Sequence, residues 1–326
     1  MRILALMIAL TIAATTAELA SAASSGKIRV ILDTDANNEL DDQHAIAYLL
    51  LNPDVFEVEG ITVNRTRSGG DISQHHAEAV RMVRLCARDR DVRVYRGAEK
   101  AFDAIKDHVG QPGLDGAEAV RFIIERARAR DNRRLVLVAV GKLTNVALAL
   151  AAAPDIAPRL RIVWLGSNYP EPGEYNQVND EPALQYILET RVDFEIAVVR
   201  YGQRSGTDAV RVTLDEIRQH MPGKGPHVDP PVRGRHGGTF TNFGDYSVNL
   251  FQHIELTGDP PSRALYDMAA VAIVKNPAWA SKITIPAPLL KNGAWVARPG
   301  NRRTIVLWER FDRDRIMKDF YDTLQN

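Results

Sequence analysis

Cysteine is almost missing from this chain: Cys86 is the one such residue in 326, so no intrachain disulfide can staple the fold. It shares the apolar face of a helical stretch with Val80 and Val83 and reads as a core residue. An excess of charge of either sign is missing too. Lys plus Arg and Asp plus Glu each total 41, and no basic run is interleaved with aromatics. That argues against a nucleic-acid polymer as partner and for a neutral small molecule. Long apolar runs are confined to residues 3–14, too few to cross a bilayer. With Arg2 before it and Ala20-Ser21-Ala22 after it, this run reads as a signal peptide over residues 1–22. The expectation is an exported protein, periplasmic or secreted, with residues 23–326 forming one domain and no membrane partner.

Cofactor motifs are also lacking. No Gly-x-Gly-x-x-Gly follows a strand-like run, and Gly141-Lys142 has neither the upstream glycine nor the following Ser or Thr of a phosphate loop. No Cys/His cluster has zinc spacing. Nucleotide cofactors and zinc are therefore disfavoured. The chain shows no internal repeat and no low-complexity segment.

What is present is a steady alternation. Strand-like runs at 28–32, 58–63, 92–95, 135–140, 161–165 and 194–199 are separated by amphipathic stretches at 74–88, 117–130, 145–152 and 182–190. A strand-like run at 304–308 and a helical one at 314–324 close the chain. This order predicts an α/β fold, a mainly parallel central sheet with helices on both faces. Residues 222–246, rich in Gly and Pro, break the rhythm. They predict a lid whose Phe240, Phe243 and Tyr246 cover a pocket.

The densest chemistry lies in Ile31-Leu32-Asp33-Thr34-Asp35-Ala36-Asn37-Asn38-Glu39-Leu40-Asp41-Asp42. An apolar strand runs into four aspartates, and Ala45, Ile46, Leu49 and Leu50 then follow at helical spacing. The acids thus sit at the carboxyl end of a buried strand, where open α/β sheets concentrate their ligands. So many carboxylates this close repel one another, so they either face water separately or share a hard cation. Asp41 alone also suits a helix start, where Asp caps the first turn. An EF-hand would need Gly and Glu where counting from Asp33 gives Asn38 and His44, so that motif fails. A haloacid-dehalogenase phosphatase continues from its Asp-x-Asp to Thr or Val where this chain has Asn37.

Further along come Ile61-Thr62-Val63-Asn64, Val140-Gly141-Lys142-Leu143-Thr144-Asn145, Asn168 with Glu174-Tyr175-Asn176, and Asp267 before Ala269-Ala270-Val271. Together with Asp33-Thr34-Asp35 and Asp41-Asp42, in this order and at comparable spacing, the sequence resembles the inosine-uridine nucleoside hydrolases. The resemblance implies the Rossmann-like fold of that family and a Ca²⁺-dependent hydrolase that splits ribonucleosides into ribose and free base. It implies Asp35, Asp42, Asp267 and the carbonyl of Val140 as metal ligands, with Asp33 assigned to the same site. It implies Asp35 as general base for a metal-bound water, since Ca²⁺ acidifies water less than zinc does. Asn64, Asn168, Glu174 and Asn176 match residues that grip the ribose hydroxyls, a task suited to amides and carboxylates. Asn64-Arg65-Thr66 also reads as a glycosylation acceptor, and members are often homo-oligomers.

Two departures stand out. Five residues, 36–40, separate Asp35 from Asp41 where the family usually has three, and Tyr266 precedes Asp267 where many members carry a histidine thought to protonate the leaving base. Tyrosine is the weaker acid at neutral pH. Help for the leaving group then falls to His236, His227, Tyr246, His75 or His76, or is absent. Two alternatives stay open: a hydrolase of another pentoside, and a non-catalytic Ca²⁺-dependent sugar-binding protein.

Overall fold

The computed structural model describes residues 26–325; the expected signal peptide lies outside them. The first half runs β1 (Ile28–Thr34), α1 (Asp41–Leu50), β2 (Phe56–Val63), α2 (Ile72–Leu85), β3 (Val94–Arg96), α3 (Phe102–Ile105), α4 (Ala117–Arg128), β4 (Leu135–Ala139), α5 (Thr144–Ala152) and β5 (Leu160–Leu165). Then come α6 (Tyr175–Asn179), α7 (Glu181–Glu189), β6 (Asp193–Ala197), β7 (Arg211–Thr213), α8 (Leu214–His220), β8 (Val232–Arg233), β9 (Thr239–Phe240) and α9 (Phe243–Gln252). The chain ends with β10 (Ser262–Ala264), α10 (Tyr266–Lys275), β11 (Ser281–Pro286), β12 (Leu289–Lys291), β13 (Ala294–Val296), β14 (Thr304–Glu309) and α11 (Arg313–Thr323).

Eight strands form the central sheet in the order β11-β14-β6-β5-β4-β1-β2-β3. Every pairing is parallel except β11 with β14, so the expected mainly parallel sheet is what the chain builds. Period-two alternation sorts its side chains into two cores. Val30, Leu32, Val136, Val138 and Val163 join α1, α2, α9, α10 and α11 on one face. Ile31, Leu135, Leu137, Ile162 and Trp164 join α4, α5 and α7 on the other. Because the central strands are buried on both faces they read as unbroken apolar runs, which is why they were legible in sequence. Strand order reverses between β1 and β4, whose neighbours run β2-β3 one way and β5-β6 the other. At such a switch point the loops leaving the two strands diverge and open a crevice.

The lid expectation fails. Phe243 and Tyr246 lie in α9, fully buried, and the Tyr246 hydroxyl donates to Glu78 Oε1 at 2.6 Å inside the core. Aromatic residues on one helical face were core anchors here, not a cover. Cys86 is buried at the end of α2, as its apolar neighbours implied. No helix among the described residues is long and apolar enough to cross a membrane.

Candidate active site

β1 delivers Asp33 and Asp35 to the switch point, and β4 delivers Val140 beside them, its N–H donating to the Asp33 carbonyl at 2.7 Å. Asp33 departs from the ligand expectation. Its Oδ1 accepts from Thr62 at 2.6 Å and Asn145 at 2.7 Å, and its Oδ2 from Asn64 at 2.9 Å. Both oxygens are taken by donors on β2 and α5, so Asp33 ties the three segments together under the site. Burial raises its carboxyl to about 6 even against those bonds.

Asp35 is arranged differently. Its Oδ2 accepts from Asn38 at 2.5 Å and from the Thr66 hydroxyl, while Oδ1 is buried without any partner. Desolvation is the main force that pushes this carboxyl up to about 7. Gly141 makes room for it, since a Cβ there would sit 2.8 Å from the Asn64 amide and 3.0 Å from Asp35 Oδ1. The Trp164 indole N–H, donating to the Gly141 carbonyl at 2.9 Å, holds that glycine in place.

Asp41, Asp42 and Asp267 bring carboxylate oxygens within 4.8 Å of one another, all three buried. The helix-cap reading of Asp41 does not hold, because Leu40 occupies the cap of α1 and no side chain caps it. Asp41 instead sits in the first turn of α1 beside Asp42, and only the arrival of α10 with Asp267 makes it part of an acidic cluster. Burial, then repulsion from Asp42, raises Asp41 to about 8. Asp42 is pushed well up by burial and by Asp35, and Asp267 by burial and by Asp41. Thr34 donates to Asp42 Oδ1, while Asp42 Oδ2 is buried and bare. Bare buried carboxylate oxygens cost several kcal/mol each unless a cation or proton satisfies them. All-oxygen donors, several of them anionic, fit a hard divalent cation.

Asp41 and Asp267 open on a cleft of about 320 Å³ that Glu174, Asn176 and Val140 also line. Glu174 caps α6, its Oε2 accepting from the N–H groups of Ser167 at 2.9 Å and Gln177 at 2.8 Å. Asn176 spends its Nδ2 on the carbonyls of Val140, 2.9 Å, and Leu165, 3.2 Å, leaving Oδ1 bare. Asn64 and Asn168 are not in the lining. Asn64 is wholly buried with its amide on Asp33, which also closes it to glycosylation in the folded chain. Asn168 Oδ1 accepts from the Tyr201 N–H at 2.9 Å. Tyr266 also lines the cleft, as do residues that the sequence did not single out, among them Arg67, Tyr201, Arg263 and Glu39 of the longer loop. None of the histidines named for the leaving group lines this cleft. His75 is buried, its Nδ1 2.8 Å from the Asp35 carbonyl, and His236 lines a separate cavity. A larger space of about 1200 Å³ lies beyond Tyr201 and Tyr266, but none of the clustered aspartates borders it.

A doubly covered parallel sheet with a buried acidic cluster at its switch point places the protein among α/β folds that carry a candidate site for a hard cation. The family profile described as inosine-uridine preferring nucleoside hydrolase matches residues 30–318, and the chain belongs to that family. It is a glycosidase acting on nucleosides, which sets aside the non-catalytic alternative. The pyrimidine-specific ribonucleoside hydrolase RihB of Escherichia coli is 27% identical over 272 residues, 77% of this chain and 79% of that one. An uncharacterized protein of Schizosaccharomyces pombe is 27% identical over 219 residues, 60% of this chain and 69% of its own. The solved structure of the plant nucleoside hydrolase PpNRh1 shares the fold at a TM-score of 0.71 and 19% identity, covering 91% of this chain and 99% of that one.

Proposed function

We propose that the chain is a Ca²⁺-dependent N-ribohydrolase that cleaves ribonucleosides to ribose and free base, with Asp35 as general base. The observation that carries this reading is the convergence of Asp41, Asp42 and Asp267 at the wall of a cleft that Asp41, Asp267, Glu174 and Asn176 line, with the bare Oδ1 of Asp35 buried behind it. Asp35, Asp42, Asp267 and the Val140 carbonyl would hold the ion, with Asp41 beside them. When bound, the ion supplies the positive charge that lets these acids stay ionised together and polarises oxygens of sugar and water. Asp33 acts one layer below, fixing Asn64 and β1.

The protein's own groups do the rest. Asp35 Oδ1, with its partner oxygen already pinned by Asn38 and Thr66, takes the proton of the water that attacks C1′. Such a base is worth about 10²–10⁴-fold in rate. Glu174 and Asn176 Oδ1 accept from ribose hydroxyls, and their own bonds to backbone groups hold them still. The pattern at Arg2, residues 3–14 and Ala20-Ser21-Ala22 supports action outside the cytoplasm.

The test is reducing-sugar release from a panel of purine and pyrimidine ribonucleosides, before and after chelation and after adding Ca²⁺. Release that stops on chelation and returns with Ca²⁺ supports the reading. Release indifferent to chelation overturns the metal, and release only from other pentosides moves the substrate.

A further inference from the structure

Cleavage of an N-glycosidic bond leaves an electron pair on the base, which needs a proton or a cation to receive it. Tyr266 cannot give a proton from where it stands. Its hydroxyl donates to Asp208 Oδ1 at 2.7 Å, and Asp208 is itself held by Arg211 Nη1 at 2.8 Å and by the Gly202 N–H at 2.9 Å. Tyr266 meets the Tyr201 ring edge to face, the centroids 6.1 Å apart. No histidine lines the cleft.

Arg263 on β10 does line it. Its Nη2 pairs with the Glu39 carboxylate, its side chain is only 17% exposed, and its Nε is buried with no hydrogen-bond partner. Glu39 belongs to the loop that is two residues longer than usual, and that loop is gripped a second time where Arg235 donates to the Glu39 carbonyl. The other cation of the lining, Arg67, is exposed and lies over the Tyr175 ring, 4.7 Å from its centroid. Of the two cations in the lining, Arg263 is thus the one largely withdrawn from water.

We propose that Arg263 is a catalytic residue of this hydrolase, stabilising the departing base as an anion, and that Glu39 positions it. A guanidinium does not deprotonate in proteins, so it acts by charge and hydrogen bond. The C1′–N bond breaks with its electron pair going to the base nitrogen, while the water oxygen bonds to C1′ and its proton passes to Asp35. The base anion, paired with Arg263, takes a proton from solvent as it leaves, and Asp35 returns its own to solvent. The longer metal loop thereby gains a purpose: it carries the carboxylate that aims the guanidinium.

This inference rests on the nucleoside hydrolase reading above, and the experiment separates the two. The wild type, Arg263→Gln, Arg263→Lys and Glu39→Gln are compared on inosine and uridine, whose bases leave poorly, and on 4-nitrophenyl β-D-ribofuranoside, whose nitrophenolate needs no help. Removing one such donor costs about 10²–10³-fold, so Arg263→Gln should lose that much kcat/KM on the nucleosides and less than about tenfold on the nitrophenyl riboside. Arg263→Lys should recover part of the nucleoside activity, and Glu39→Gln should show the same selectivity at smaller size. Equal loss on both substrate types, or no loss, overturns the role of Arg263. An equal effect of Glu39→Gln on both types overturns the positioning by Glu39. A wild type inactive on every riboside, with Ca²⁺ bound, fails the parent reading and this one with it.

Discussion

Replacing Asp41 by Asn keeps the side chain's size and removes one charge from the buried cluster. The carboxyl's ordinary value is 3.8, and burial with repulsion from Asp42 raises it to about 8 in the folded, metal-free protein. At pH 7 the folded state therefore keeps a proton that the unfolded chain has lost. That mismatch costs the wild type up to about 4 kcal/mol, at about 1.4 kcal/mol for each pH interval between the two values. The sign follows directly. A raised folded-state value means that this group's contribution is fully present below 3.8 and is lost as the pH rises through about 8. Asn has no proton to lose, so in chelator the variant should gain on the wild type as pH rises across that window. At about 2 °C per kcal/mol for a chain this long, it should melt on the order of 10 °C higher near pH 8. Excess Ca²⁺ should reverse the order, because an ion that binds only the folded state stabilises the tighter-binding wild type more. Thermal melts followed by circular dichroism, in chelator and in Ca²⁺ over this pH range, read both effects. A variant that melts below the wild type in chelator would refute the reasoning, by showing that the hydrogen bonds of Asp41 outweigh its repulsion.

Asp35→Asn should lower kcat by about 10²–10⁴-fold while nucleoside binding, read by equilibrium dialysis, largely survives; comparable losses in kcat and affinity would make Asp35 a binding group only. Gly141→Ala drives a methyl to 2.8 Å from the Asn64 amide and 3.0 Å from Asp35 Oδ1, so activity should collapse more than thermal stability does. Unchanged kcat/KM would mean that the strand end can move aside. Burial pushes the Cys86 thiol from 9.0 up to about 12, so the native chain should resist an aromatic disulfide reagent at alkaline pH where the unfolded chain reacts at once. That thiol contributes stability below 9.0 and loses it as pH rises through about 12, and fast native labelling near pH 9 would contradict its burial.

Much of the frame was legible because its signals are local. The run at 28–32 became β1, those at 135–140 and 161–165 became β4 and β5, and the stretch at 117–130 became α4, each within a few residues. The tail of the chain was legible for the same reason. α10 was harder to read, since Asp267 through Val274 are all buried and a helix apolar all round carries no amphipathic period. The segment at 222–246 misled because turn residues mark a break in regular structure without saying where the following side chains go. Among the residues expected to grip ribose, Glu174 and Asn176 reach the cleft, whereas Asn64 and Asn168 turn to Asp33 and Tyr201. A motif names the residue, and the direction of its side chain depends on which donor lies opposite.

The sequence by itself determined that an acidic motif would end a buried strand in an α/β fold, because hydrophobic periodicity and residue order are properties of short segments. Only the tertiary structure decided what each acid does. Asp267 meets Asp41 and Asp42 because α10 packs against α1. Asp33 turns to amides because β2 and α5 supply donors, and Asp35 keeps a bare oxygen because Gly141 leaves room for it. Tyr266 loses its hydroxyl to Asp208, while Glu39 and Arg263, far apart in the chain, close on one another. Desolvation, repulsion and hydrogen-bond supply act between groups that only folding brings together, so no reading of local sequence contains them.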